Sequence, residues 1–170
     1  MGQIDLKQAT EEFFSQYDLF LSLHCKQLFP NALVHNHRCI NVHPGFNPYN
    51  RGWYPQVFGI LNRYPVGVTI HEIDEQLDHG PIIVRRQLPV HDWDTSLDIY
   101  TRIQRLEVEL LREYLPVLLS GEYQTFCPDT EGNVNLEKDF KALCRLDLEQ
   151  TVTWREAIDL LRATTFQGYR

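Results

Sequence analysis

No apolar stretch in this chain approaches the ~20 residues that a membrane span requires. The first residues lack the basic end and apolar core of a signal peptide, so the chain reads as cytoplasmic. A basic excess is missing too: 16 Lys and Arg stand against 23 Asp and Glu, for a net charge of −7. Nucleic-acid-binding modules depend on a basic face, so that class is set aside. A small anionic ligand is not excluded, because a few local Arg or Lys would hold it. Cys25, Cys39, Cys127 and Cys144 are widely spaced with no C-x-x-C pair. That favours buried or free thiols in a reducing compartment over a disulfide framework. Internal repeats and low-complexity segments are lacking as well.

What the chain does have is ample core material for one domain: 43% apolar residues, with three Trp, eight Tyr and nine Phe in 170 residues. Residues 5–15 carry Leu6, Ala9 and Phe13 at helical spacing, and 18–23 is a short apolar run that reads as a buried strand. A second strand over 38–42 stops abruptly at His43-Pro44-Gly45. A loop rich in Pro, Asn and Gly follows, then a helix from Trp53 to Leu61. Strands are predicted over 66–73 and 81–88, broken by Gly80-Pro81. The clearest helix spans 94–119: Thr95 and Asp98 form a capping box, and Ile99, Ile103, Leu106, Leu110, Tyr114 and Val117 recur on one face. Gly121 suits its stop, and Pro116 should kink it or end it early. After Gly121 the chain is mixed, until Thr153 and Glu156 open a helix through Ala163. Strands alternating with helices predict an α/β fold with a mostly parallel sheet, whose ligands bind beyond the strands' carboxyl ends.

Asn41-Val42-His43 stands at such an end. Residues two apart on a strand point to the same side, so an amide and an imidazole project together. Leu77-Asp78-His79-Gly80-Pro81 adds a carboxylate in a turn. These residues offer a carbonyl-polarising donor, a proton-transfer group and a carboxylate to orient the histidine, a kit suited to attack of an amine on a carbonyl.

Together with 71–83, the Asn41-Val42-His43-Pro44-Gly45 segment resembles the folate-dependent formyltransferases, which use an Asn-x-His strand end and a distant Asp in a Leu/Val-Asp-x-Gly turn. The 47–56 loop and the 22–30 segment resemble the branch of that family acting on dTDP-linked amino sugars. The likeness runs from about residue 18 to 163. It implies a Rossmann-like formyltransferase fold and transfer of a formyl group from 10-formyltetrahydrofolate to a 3- or 4-amino-dideoxy hexose, for bacterial surface polysaccharide such as O-antigen. It further implies His43 as the catalytic base or polarising group, Asn41 as an oxyanion donor and Asp78 as the partner tuning His43. A folate pocket would fall on Lys26, Gln27 and Leu28 and on Ile73, Asp74, Glu75, Gln76 and Leu77. Tyr49, Asn50, Arg51, Trp53 and Tyr54 would meet the sugar nucleotide. No metal is implied.

Members of that family usually begin with further strands and helices ahead of the strand at 18–23. The expectation is therefore a partial fold: residues 1–120 as the C-terminal half of the catalytic domain and 121–170 as a shortened extension ending in a helix. The sheet edge so left open could be covered in a homodimer. Rival readings are a binding-only or inactive fragment, formylation of another amine such as an aminoacyl-tRNA, and a metal-dependent hydrolase. The last would use His35, His37 and Cys39, which on one strand face make a zinc half-site, although no second ligand pair has suitable spacing. Core or surface histidines are the more frequent outcome for such residues. His71 reads as a packed, hydrogen-bonded strand histidine supporting the site, Cys25 as a core thiol, Phe58 as core, and Arg85-Arg86 as a solvated strand end.

Overall fold

The strand β2 (Arg38–His43) buries Cys39, Ile40, Val42 and His43, as a strand covered on both faces must. In the computed structural model, which describes residues 4–166, it lies inside a four-stranded sheet. Residues 1–3 and 167–170 lie outside the described residues. β1 (Leu19–Leu23) pairs with β2 in parallel; β4 (Val66–Glu72) pairs with its other side antiparallel, and β5 (Ile82–Leu88) with β4 antiparallel, in the order β1-β2-β4-β5. The α/β class is as expected, but the described sheet is mixed rather than mostly parallel. Two connections explain this. The link over 73–81 is too short for a crossover, which leaves only an antiparallel neighbour. Between β2 and β4 lie β3 (Arg51–Gly52) and α3 (Pro55–Asn62). This link turns back at once: the Thr69 hydroxyl of β4 bonds Gly45 and Asn47 just past the end of β2, which ties β4 to β2 in the antiparallel sense.

The long helix α4 (Ser96–Ser120) forms where its capping box predicts. Thr95 and Asp98 satisfy each other's backbone amides, and Gly121 ends it at a left-handed φ of 78°. Its buried stripe of Ile99, Ile103, Leu106 and Leu110 packs with Ile40, Val42, Val68 and Ile70 of the sheet and with Val57, Phe58 and Ile60 of α3. Pro116 does not end the helix. It sits on the exposed face, where water can bond the carbonyl that proline's missing N–H leaves open.

Several local expectations change. The first helix is confined to α1 (Glu11–Phe14), because Asp5 folds residues 5–9 into a turn by accepting from the Lys7 amide, and Thr10 then caps a new helix. Residues 31–36 form α2 (Asn31–Asn36), so His35 is helical. α3 starts at Pro55 rather than Trp53, behind Tyr54 at a left-handed φ of 52°. After α4 come β6 (Val134–Asn135), which pairs with β3, α5 (Glu137–Leu143) and α6 (Trp154–Thr164). α6 packs on α3 and is anchored by Asp159, which accepts from Arg63 at 2.5 Å and Arg162 at 2.9 Å. No described helix is long and apolar enough to cross a membrane.

Candidate active site

At the carboxyl end of β2, the antiparallel register sets Asn41 opposite His71 and His43 opposite Thr69 of β4. The chain then turns away, and Thr69 pins it: the hydroxyl donates to Gly45 O at 2.7 Å and accepts from the Asn47 amide at 3.0 Å. Gly45 is required by space. A Cβ there would stand 2.3 Å from His43 Nε2.

Asp78 arrives from the turn after β4 at a left-handed φ of 48°, a backbone state costly for a non-glycine residue unless its surroundings hold it. They do so at three points. Asn47 Nδ2 donates to its carbonyl at 2.8 Å, Asn41 Nδ2 to its Oδ1 at 2.9 Å, and the Gly52 amide to its Oδ2 at 3.0 Å. Asp78 Oδ2 lies 3.4 Å from His43 Nδ1, and His71 Nε2 lies 3.8 Å from Asp78 Oδ1. Burial works against the Asp78 carboxylate, but the imidazoles of His43 and His71 and the Gly52 amide outweigh it and hold the carboxyl well below the usual range. Asp78 is ionised at neutral pH.

His43 is 3% exposed. Burial pushes its imidazole below the ordinary 6.5; Asp78 opposes this, while His71, His24 and Arg51 add to it. The ring is therefore neutral at neutral pH. With Nδ1 facing a carboxylate, the proton belongs on Nδ1, which leaves the lone pair on Nε2. Nε2 is buried and has no hydrogen-bond partner. In His71, Nδ1 donates to the Glu72 carbonyl at 2.6 Å, so its Nε2 is the acceptor beside Asn41. The pair of β-strand imidazoles meets edge to face, ring centres 6.3 Å apart.

This group opens on a cavity of about 1290 Å³. One wall carries Lys26, Gln27 and Leu28, the other Ile73 through Leu77, and Asn41, His43 and Asp78 lie between them. Leu28 is 69% exposed, a large apolar side chain at the cavity's edge. Trp53 and Tyr54 line the same space, as do Tyr100 and Gln104 of α4, which the sequence did not suggest.

The other residues expected at the sugar nucleotide lie away from the large cavity. Tyr49 stacks on Tyr64 with ring centres 4.9 Å apart. Asn50 is buried, and its Oδ1 accepts from Asn62 and Asn133 at 2.9 and 3.1 Å. Arg51 is 4% exposed and ion-paired to Glu131 at 2.9 Å, beside a hollow of about 190 Å³ on another side of Asp78. The Glu131 side chain is 71% exposed and Arg51 Nε is buried without a partner, so the expected phosphate grip of Arg51 would compete with this ion pair.

His35, His37 and Cys39 do not share a strand face. His35 pairs with Glu75 and His37 with Glu11, while Cys39 Sγ approaches Leu33 O at 3.8 Å. Burial pushes the Cys39 thiol up to about 12. Cys25 is exposed, not a core thiol. Arg85 is no solvated strand end either: it bonds Asn47 O and lies 4.6 Å over the Phe46 ring, whereas Arg86 pairs with Glu113 at the surface.

The chain matches the family model described as formyl transferase over residues 5–115, and that of the N-formyltransferase dimerization C-terminal domain over residues 139–170. It is 51% identical over 166 residues to the dTDP-4-amino-4,6-dideoxyglucose formyltransferase of Mycobacterium tuberculosis, covering 98% of this chain and 71% of that protein. Its structure is similar to a 4-N formyltransferase from Francisella tularensis, at a TM-score of 0.93 and 47% identity, covering 98% of this chain and 69% of that one. A formyltransferase from Anoxybacillus kamchatkensis, in complex with UDP-4,6-dideoxy-4-formamido-L-AltNAc and tetrahydrofolate, gives a TM-score of 0.78 at 27% identity, covering 95% and 84%.

Proposed function

We propose, on the premise that this chain belongs to the formyl transferase family, that it transfers a formyl group from 10-formyltetrahydrofolate to the C4 amine of a dTDP-linked 4-amino-4,6-dideoxy hexose. The names of two relatives, a dTDP-4-amino-4,6-dideoxyglucose formyltransferase and a 4-N formyltransferase, support the 4-position over the 3-position. The observation that carries the reading is the buried, unpartnered Nε2 of a neutral His43 at the wall of a large cavity.

The cavity fits a folate. A slot edged by the apolar side chains of Leu28, Ile73 and Leu77 suits a flat heteroaromatic ring, and Lys26 offers charge to a carboxylated tail. Folate supplies an activated formyl group there. His43 Nε2 accepts the proton that the amine loses as it attacks, and Asp78 stabilises the imidazolium so formed. Asn41 Nδ2 gives one hydrogen to Asp78 at 2.9 Å and turns the other to His71 Nε2 at 3.4 Å, a long contact that it would exchange for the carbonyl oxygen as charge grows there. Trp53 and Tyr54 offer aromatic surface to the sugar nucleotide at the cavity wall.

The expected setting is the bacterial cytoplasm, with the product feeding surface-polysaccharide assembly. A homodimer is part of the proposal. On α6, Trp154, Ile158 and Leu161 fall on one helical face at 86%, 53% and 56% exposure, within the stretch that matches a dimerization domain.

Incubation with 10-formyltetrahydrofolate and dTDP-4-amino-4,6-dideoxyglucose should yield a sugar nucleotide heavier by one CO, detected by mass spectrometry. His43→Gln should abolish that product and leave folate binding intact. A wild-type chain that binds folate but formylates no dTDP-amino sugar would overturn the assignment.

A further inference from the structure

The cavity wall carries a second imidazole that the mechanism above leaves idle. β1 and β2 run in parallel with Leu23 opposite Val42, so the next residues, His24 and His43, leave the two strand ends at the same level. Both line the cavity. His24 stands at a left-handed φ of 50°, an unusual state that points to a constraint on where its ring must go. Its Nε2 is 2.9 Å from Glu107 Oε2. Glu107 is 5% exposed, on the α4 face that otherwise buries Ile99, Ile103, Leu106 and Leu110. A buried carboxylate on an apolar face is costly and persists where a partner requires it. The partner here is His24. Facing a carboxylate, Nε2 carries the proton, and Nδ1 holds the lone pair.

The two rings differ in their access to water. His43 is closed in; the His24 side chain is 45% exposed. The reaction asks for both kinds of group. An aliphatic amine arrives at neutral pH mostly as ammonium. It must shed one proton before it can attack and a second as the new C–N bond forms. The bond from the formyl carbon to the folate nitrogen then breaks, and that nitrogen takes one proton. The other proton must reach solvent.

We propose that His24, held in place by Glu107, is a second catalytic residue: it takes the proton with which the amine arrives and passes it to water. His43 takes the second proton, which returns to the leaving folate nitrogen. Glu107 is a positioning residue, acting only through His24. Burial pushes its carboxyl up, with His24 pulling the other way. The other charged or titratable groups that line the cavity, among the described residues, are Lys7, Cys25, Lys26, His43, Tyr54, His71, Asp74, Glu75, Asp78 and Tyr100. The inference rests on the amine-formylation reading.

The test is kcat/KM against pH for the full chain as wild type, His24→Gln and Glu107→Gln, with dTDP-4-amino-4,6-dideoxyglucose as acceptor. At neutral pH, His24→Gln should lose roughly 10- to 100-fold. The gap should close once the pH exceeds the amine's own pKa, and added imidazole should restore part of the rate. Glu107→Gln should repeat the pattern more weakly. A His24→Gln loss equal at every pH and indifferent to imidazole would overturn the inference in favour of a binding or structural role; so would no loss. A wild-type chain that forms no formamido sugar would overturn the formylation reading itself, and the inference with it.

Discussion

Replacing Gly45 by alanine adds one methyl group and should silence the active site. The new Cβ would stand 2.3 Å from His43 Nε2, 2.7 Å from its Cδ2 and 3.3 Å from Pro55 Cβ. To regain ordinary contact the imidazole must retreat by about 1 Å, a displacement that can cost ~100-fold in rate. Neither side has room to yield. The ring is 3% exposed and lies against Asp78, while the Gly45 carbonyl is held by Thr69 at 2.7 Å. Expressed at the transition state, ~100-fold is about 2.7 kcal/mol. Overpacking a filled site destabilises the fold by a further ~1–3 kcal/mol. The assay is kcat/KM for formyl transfer beside the urea midpoint and folate affinity. Gly45→Ala should lose about two orders of magnitude in kcat/KM, with folate affinity nearly unchanged. Activity within threefold of wild type would refute the argument that His43 Nε2 must occupy that space.

Other consequences can be checked separately. Because burial lowers the His43 pKa from 6.5, its base form persists as the pH falls through 6.5, and the acid limb of kcat/KM should lie below that value. The same shift acts on stability with a definite sign. The unfolded chain takes up this proton first, so the contribution of His43 is complete above pH 6.5 and declines as pH falls below it, which urea titrations across pH 5–7 on wild type and His43→Gln would resolve. Asp159→Ala removes the carboxylate shared by Arg63 and Arg162, leaving Arg162 its bonds to the His91 and Asp94 carbonyls, and should lower stability by about 2 kcal/mol, read by chemical denaturation. Ile158→Glu should shift the chain from dimer to monomer in sedimentation without changing its helicity; an unchanged dimer would place the interface elsewhere.

The sequence exposed the parts of the site whose signal is local. Asn41 and His43 were legible because strand alternation sends them to one side of an abrupt strand end, and α4 because its caps and stripe agree. Thr69, Asn47 and Gly52 were not, since what makes them matter is a bond to a segment many residues away. The ion pair of Arg51 was hidden for the same reason: nothing near it in sequence points to Glu131. Strand direction also escaped, because it depends on Thr69 tying down a loop more than twenty residues earlier, and periodicity alone does not report that.

The short β3–β6 pairing has a consequence for the order of synthesis. The Gly52 amide that fixes Asp78 belongs to a loop clamped by Asn133 and Asn135, whose carbonyls accept from Arg51 and Trp53 at 3.0 and 2.9 Å. Asn41, His43 and Asp78 are all made by residue 78, yet the clamp is supplied by residues made more than fifty positions later. A nascent chain therefore carries the side chains proposed to react before it can hold them in place. Catalytic competence should appear only once the 133–135 segment has left the ribosome and closed back on the loop.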